Sequence, residues 1–498
     1  MRNKYFILAL TVLLSCSSTP ERYYNHVALE ETDTLEDIIW KAAHVVPSDR
    51  QFEWQRLELT AFAHFGLNTF SGMQWGSGKE DPALFNPTDF DARQWVDVLK
   101  KAGFKSLLLT CKHHDGFCLW PSAYTDYSVI QSPWKDGQGD VVREVADACH
   151  EAGLKFGIYL SPWDRHEQSY GTAEYNDYFV SQLTELLTGY GTVDEVWFDG
   201  ACGEGPNGKR QEYDFDRWYR VVRALQPQAV IAVMGPDVRW VGNERGRARE
   251  TEWSVVPNNN LDPSLIAAES QHELIMPPTR MTREPDLGSR ELIRNAKTLV
   301  WYPAESDVSI RPGWFYNDND AGQTKTPEQL MDIYFKSVGR NSNLMLNIPP
   351  NKEGRFGDEE VESLLGFARL REKIFETNLI DFSEVTIDCL SPARARMVCD
   401  GNYDTGVCLD KGQVIAWKWQ EAVTFSIFLA QEDIRKGQRV ESFSLEYKTE
   451  EGTWATAAEG STIGYKRLLH FEPVTTNEAR MVIHSSRLEP FIAETGLY

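Results

Sequence analysis

The sequence predicts an α/β protein: a (β/α) TIM-like barrel followed by a C-terminal antiparallel β-sandwich. Three observations carry this. Short apolar, β-branched segments alternate with amphipathic helical ones over about 330 residues, the signature of a parallel sheet covered by helices. Polar residues gather at the C-terminal ends of those segments, where a barrel keeps its chemistry. From about Asp381 the helical periodicity stops and short alternating strands separated by turn-rich stretches take over. The organisation expected is a leader over 1–15, a tether over 16–45, a catalytic barrel over 46–378 and a sandwich over 379–498.

Barrel strands are expected at 60–68, 106–112, 155–161, 195–200 and 229–235, with later ones around 252–256, 298–303 and 343–348. Between them Trp95, Val98, Leu99 and Ala102 recur at i, i+3, i+4 and i+7, as do Val142, Val145, Ala146 and Cys149, and Leu183, Leu186, Leu187 and Tyr190. A doubly wound open sheet is the alternative, but no Gly-rich phosphate loop follows the first strand. In the tail, 423–429, 442–448, 468–471 and 480–484 read as sandwich strands. Bracing the barrel is the role expected of them.

Composition narrows the function. A net charge of −23 opposes a nucleic-acid partner, because phosphate attracts basic surfaces. The 16 Trp, 19 Tyr and 24 Phe suit a protein that stacks rings on sugars, although aromatic residues chiefly build cores. Arg2 and Lys4 precede an apolar run too short to span a bilayer, which reads as a signal peptide. Leu13-Leu14-Ser15-Cys16 is similar to a bacterial lipoprotein cleavage box with Cys16 acylated. A cell-envelope protein, lipid-anchored on its periplasmic or surface face, is therefore expected. The other seven cysteines show no CxxC and no regular spacing, so neither a zinc frame nor a disulfide scaffold is predicted, though one disulfide among Cys389, Cys399 and Cys408 stays open.

Strand ends give a short polar group: His64, Lys112-His113-His114-Asp115, Tyr159, Asp164, Asp199, Arg239 and Glu244. Asp199 stands out, because an apolar run ending in a carboxylate and then Gly sets a charge at the barrel mouth. It could cap a helix instead, but 200–208 reads as loop. His64, His113 and His114 fit either a metal site or a cluster that binds hydroxyls. Adjacent histidines on a strand face opposite ways, so both of the pair face inward only if the strand has ended.

Four ordered motifs, His64-Phe65-Gly66, Lys112-His113-His114-Asp115-Gly116-Phe117, Gly157-Ile158-Tyr159-Leu160-Ser161-Pro162-Trp163 and Val196-Trp197-Phe198-Asp199-Gly200, resemble glycoside hydrolase family 29, the α-L-fucosidases. The resemblance implies Asp199 as nucleophile, with His64, His113, His114 and Tyr159 on the fucose hydroxyls and Arg239 beside the nucleophile. Gly242-Asn243-Glu244, Trp75-Gly76-Ser77-Gly78, Phe85-Asn86-Pro87 and Asp307-Val308-Ser309-Ile310-Arg311-Pro312-Gly313-Trp314 look like the branch acting on α-1,3 and α-1,4 links, which implies Glu244 as acid/base. Glu252 is the second choice, its alternative role being ion pairing with Arg247 or Arg249. One departure stands out: Gln74 precedes the pocket Trp75 where that branch commonly carries Glu.

A retaining mechanism needs two carboxyls about 5–5.5 Å apart, one ionised and one protonated. Asp199 and Glu244, from neighbouring strand ends, can supply them. The fucose methyl asks for an apolar wall, with Trp75, Trp120 and Trp314 as candidates. No cofactor or metal is expected, and the partners are fucosylated oligosaccharides and, through the anchor alone, a membrane. The competing readings are fucosidases of broader or α-1,2 linkage choice, a metal-dependent barrel hydrolase using His64, His113 and His114, and a sugar-binding lipoprotein without turnover.

Overall fold

The computed structural model describes residues 22–258 and 284–498. Eight parallel strands form a nearly closed barrel: β1 Leu59–Ala63, β2 Ser106–Lys112, β3 Lys155–Leu160, β4 Glu195–Phe198, β5 Val230–Val233, β6 Arg239–Trp240, β7 Ala304–Ser309 and β8 Ser342–Asn347. Their spatial order is β5-β4-β3-β2-β1-β8-β7-β6. Almost every strand residue is buried on both faces, inside by other strands and outside by helices. The helices carry their own start and stop signals. In Ala92–Ala102 and Val141–Ala152 an aspartate, Asp91 or Asp140, accepts the N–H three residues on, and a left-handed glycine, Gly103 or Gly153, ends the helix.

The barrel closes without a helix. β5 turns directly into β6, with the Val233 N–H donating to Val238 O at 3.0 Å. Val233 takes φ 63°, a left-handed conformation that costs a β-branched residue roughly 1–3 kcal/mol. It faces the cavity described below.

Two expected barrel strands belong elsewhere. Val255–Pro257 and Thr298–Trp301 pair antiparallel with each other, and the latter also with His26–Ala28, in a three-stranded sheet beside the barrel. Their apolar character is real, but it serves this second sheet. The tether expected over 16–45 is likewise corrected where the chain is described. Tyr24 bridges Val45, and helix Leu35–Ala43 begins with a Thr34/Asp37 capping box and buries Ile38, Ile39, Ala42 and Ala43. Those residues carry an apolar stripe that a solvated tether would waste. Cys16 and the leader lie outside the described residues.

The C-terminal part is a seven-stranded antiparallel sheet with its own core, which includes Trp417, Phe428, Phe443 and Met481. The segments expected at 468–471 and 480–484 are one strand, Arg467–Ser486, paired along Val414–Glu432. Register breaks after Lys418 and Phe425 bend this pair over the core. The sheet braces the barrel through polar contacts: Gln438 accepts from Ser254 N and donates to Glu252 O, and Lys466 ion-pairs with Glu58. Among the described residues no disulfide forms, Cys389, Cys399 and Cys408 included. No described helix is long and apolar enough to cross a membrane.

Candidate active site

A cavity of about 550 Å³ opens at the C-terminal ends of the barrel strands. It gathers most of the pocket residues expected from the sequence, His64, Trp75, His113, His114, Tyr159, Asp199, Glu244 and Trp314, but not Arg239 or Trp120.

Asp199 follows β4 directly, and both of its oxygens are held. Tyr159 Oη donates to Oδ2 at 3.0 Å and the Ala201 N–H to Oδ1 at 2.8 Å. His114 Nε2 lies 3.9 Å from the same Oδ2. Burial and the aspartate charge push the Tyr159 phenol far above its usual range, so it remains a donor. The aspartate is thus aimed rather than free to rotate, which near-attack geometry requires.

The histidines are polar but uncharged. β2 ends at Lys112, so His113 and His114 lie beyond the strand and both line the cavity. Lys112 itself turns outward into a buried ion pair with Asp164 at 2.9 Å. Burial lowers His64 to about 3, helped slightly by His114 and opposed by the Asn347 bond. Burial also carries His113 well down and lowers His114. His64 Nδ1 bonds Asn347 Oδ1 at 2.9 Å, and His114 Nδ1 bonds Ser161 Oγ at 2.7 Å. Ser161 donates its only proton to Trp163 O, so the network assigns the Nδ1–H form to His114. Three neutral imidazoles with fixed rings suit hydroxyl recognition. No group of three or more His, Cys, Asp or Glu among the described residues is arranged to hold a metal ion.

Glu244 stands on the facing wall, in the loop after β6. Trp314 Nε1 donates to its Oε2 at 3.3 Å. Burial raises the Glu244 carboxyl, the indole bond opposes this, and the charge of Asp199 adds to it. A carboxylate with two donors and a carboxyl pushed toward its protonated form therefore share one pocket, the division of labour acid-assisted glycoside cleavage needs. Gln74 Oε1 accepts from Trp314 N at 2.7 Å and Phe315 N at 3.1 Å, so this residue ties down the loop that carries Trp314. A glutamate would make the same two bonds, which explains why the amide is tolerated.

Two expectations fail on side-chain direction. Arg239 is buried away from the cavity, ion-paired to Glu252 and donating to Tyr302 O and Trp253 O. On a strand neighbouring side chains alternate, and here Trp240 takes the cavity side. Glu252, the second choice for acid/base, is equally buried, and Arg239 and Arg249 hold its carboxyl below the usual range against the effect of burial. An ionised, doubly paired group has no proton to give. Trp120 is also core, with its Nε1 on Glu185 at 2.9 Å. Of the three tryptophans expected to form an apolar wall, Trp75, 56% exposed at the cavity mouth, and Trp314 line the cavity.

The sequence reading assigned no role to Trp197, Trp240, Asp307 or Asn347. Asp307, on β7, accepts from Trp240 Nε1 at 2.8 Å, and its buried carboxyl is pushed well up. Asn347 ends β8 and also donates to Ser309 Oγ and Trp314 O. Its position at a strand end was the signal that could have found it.

The Alpha-L-fucosidase family model matches residues 43–372, the barrel with the helix Asp49–Gln55 before it. The chain belongs to the α-L-fucosidase family. It is 42% identical over 465 residues to Alpha-L-fucosidase 1 of Arabidopsis thaliana, covering 91% of this chain and 87% of that protein. A Bacteroides ovatus protein crystallised as a candidate α-L-fucosidase superposes with a TM-score of 0.86 at 47% identity, covering 96% of this chain and 78% of that one. A Ruminococcus gnavus GH29 fucosidase solved with fucose aligns at 32% identity and a TM-score of 0.79, over 91% of this chain and 94% of that one. The fucosidase described here is accordingly a glycoside hydrolase built on a barrel and a C-terminal antiparallel sheet.

Proposed function

We propose that this fucosidase works by double displacement with retention, Asp199 attacking the anomeric carbon and Glu244 protonating the departing oxygen, and that it prefers α-1,3- and α-1,4-linked fucose on branched glycans. The observation that carries the mechanism is the pair of carboxyls in one cavity, one aimed by Tyr159 and Ala201, the other raised by burial and by its partner's charge. Linkage preference rests on Gly242-Asn243-Glu244 and on the 309–314 segment, which resemble the corresponding stretches of that branch. Trp314 touches Glu244 directly, so the loop that would meet the leaving sugar also positions the acid. Remote sugar contacts used in this way make a truncated substrate lose turnover as well as affinity.

The expected result is a higher kcat/KM on Lewis-type trisaccharides than on a 2-linked trisaccharide or an aryl fucoside. Preference for either of the latter overturns the linkage assignment. Proton NMR of the first-released fucose checks stereochemistry, since retention gives the α-anomer.

Acylation at Cys16, with the charged start and apolar run ahead of it, is proposed to hold the enzyme at the cell envelope. The Cys16→Ala protein is expected in the soluble fraction with unchanged kcat/KM. Membrane association of that variant counts against the anchor.

A further inference from the structure

Asn347 ends β8 with its side chain fully buried, and both ends of its amide are engaged. Its Nδ2 donates to Ser309 Oγ and to Trp314 O, each at 2.8 Å. Its Oδ1 accepts the His64 backbone N–H at 3.2 Å and lies 2.9 Å from His64 Nδ1. The amide cannot be turned round, because Trp314 O can only accept and the His64 N–H can only donate. A ring nitrogen 2.9 Å from an oxygen held in place as an acceptor carries the hydrogen, so the network assigns the Nδ1–H form to His64. His114 has the same form for a parallel reason. Trp163 O takes the Ser161 hydroxyl proton, which leaves Oγ to accept from His114 Nδ1.

Each ring holds a single proton, since burial pulls both below the ordinary imidazole range, His64 to about 3. With that proton directed at Asn347 or Ser161, each Nε2 is a bare acceptor. Both rings line the cavity, and among the described residues neither Nε2 receives a hydrogen bond. The His114 atom instead stands 3.9 Å from Asp199 Oδ2, a second acceptor. His113 differs: the Asn68 amide nitrogen lies 3.5 Å from its Nδ1, too long to fix a proton.

We propose that Asn347 is a positioning residue that holds His64 in the Nδ1–H form, and that His64 and His114 together present two bare Nε2 acceptors that select a sugar donating from two hydroxyls. A hydroxyl can donate or accept, so a wall of acceptors imposes one direction on it. Asn347 also fastens this imidazole to the acid side of the pocket. It stands in register with Phe62 of β1, just before His64, and it holds the backbone of Trp314. The Trp314 ring lies 5.1 Å from the His64 ring and donates to Glu244.

The inference rests on fucose binding in this cavity and is independent of the linkage and stereochemistry proposed above. ¹⁵N spectra of histidine-labelled protein separate protonated from bare ring nitrogens, with the two rings assigned through His64→Phe and His114→Phe. In the sugar-free wild type at neutral pH, both rings should show a protonated Nδ1 and a bare Nε2. Asn347→Ala should disturb the His64 pattern and leave that of His114 in place, and Ser161→Ala should do the reverse. Dissociation constants of fucose and its 2-, 3- and 4-deoxyfluoro analogues give the second readout. Fluorine keeps much of the shape of a hydroxyl and cannot donate, so at least two of the analogues should bind about 10–100-fold more weakly than fucose. That penalty should shrink to below about threefold at one position in N347A and at another in S161A. The wild-type spectra decide even where a variant fails to fold. A bare Nδ1 or a protonated Nε2 on either ring overturns the assignment. Fluorine tolerated at two or more positions, or a penalty that N347A leaves unchanged while the His64 spectrum shifts, overturns the role in selection.

Discussion

An Asp199→Ala protein is expected to fold and bind fucose, yet to cleave every fucoside about 10⁴-fold more slowly, a barrier increase of about 5.5 kcal/mol. Under the proposed double displacement the carboxylate makes a covalent bond to the sugar, which an alanine cannot make. Neutral His114, 3.9 Å from Oδ2, could at most assist a water molecule. Little stability should be lost, because the side chain is a quarter exposed and its removal frees only the Tyr159 hydroxyl and the Ala201 N–H. Asp199→Asn separates charge from shape, since the amide oxygen can still accept from Tyr159. It should be nearly as inactive, and it should also lower the Glu244 carboxyl toward its ordinary range by removing the neighbouring negative charge. Turnover of either folded variant within tenfold of the wild type would exclude Asp199 as nucleophile.

Glu244→Ala is expected to slow natural oligosaccharides by about 10²–10⁴-fold and aryl fucosides with good leaving groups far less, because only the former need a proton on the departing oxygen. Added azide should partly rescue the activated substrate by replacing the water that Glu244 would have deprotonated. The pH profile gives a second check. A raised carboxyl keeps its proton to higher pH, so kcat/KM on a poor leaving group should fall on the alkaline side, a limb that disappears in Glu244→Ala. Glu252→Ala should show neither pattern. Its loss strips a buried partner from Arg239 and Arg249 and should cost roughly 3–5 kcal/mol of stability instead. Leaving-group dependence in the Glu252 variant, and none in the Glu244 variant, would reverse the assignment.

How much of this was legible can be judged strand by strand. β2, β3 and β4 announce themselves as apolar runs of four to seven residues closed by polar ones. β6 is two residues long and carries no period at all. Its place in the barrel comes from parallel pairing with Ala304 and Glu305, contacts made across more than sixty residues of chain. Conversely, Val255–Pro257 and Thr298–Trp301 have the composition of barrel strands but pair antiparallel outside it. Local hydrophobicity marks a segment as buried and extended, and it does not name the sheet that receives it.

The sequence by itself determined the order of barrel and sheet, the four motifs that mark the family, and most of the pocket. It could do so because catalytic side chains sit at strand ends, a position that period and composition reveal. Tertiary structure decided the rest. A one-residue alternation along β6 sends Trp240 to the cavity and Arg239 to Glu252, a choice no motif records. Likewise, only the packed barrel brings the Trp197 indole to the Glu305 carboxylate at 2.8 Å, more than a hundred residues away along the chain. That carboxyl is ordinary in water and is pushed well up here because the packed interior excludes water.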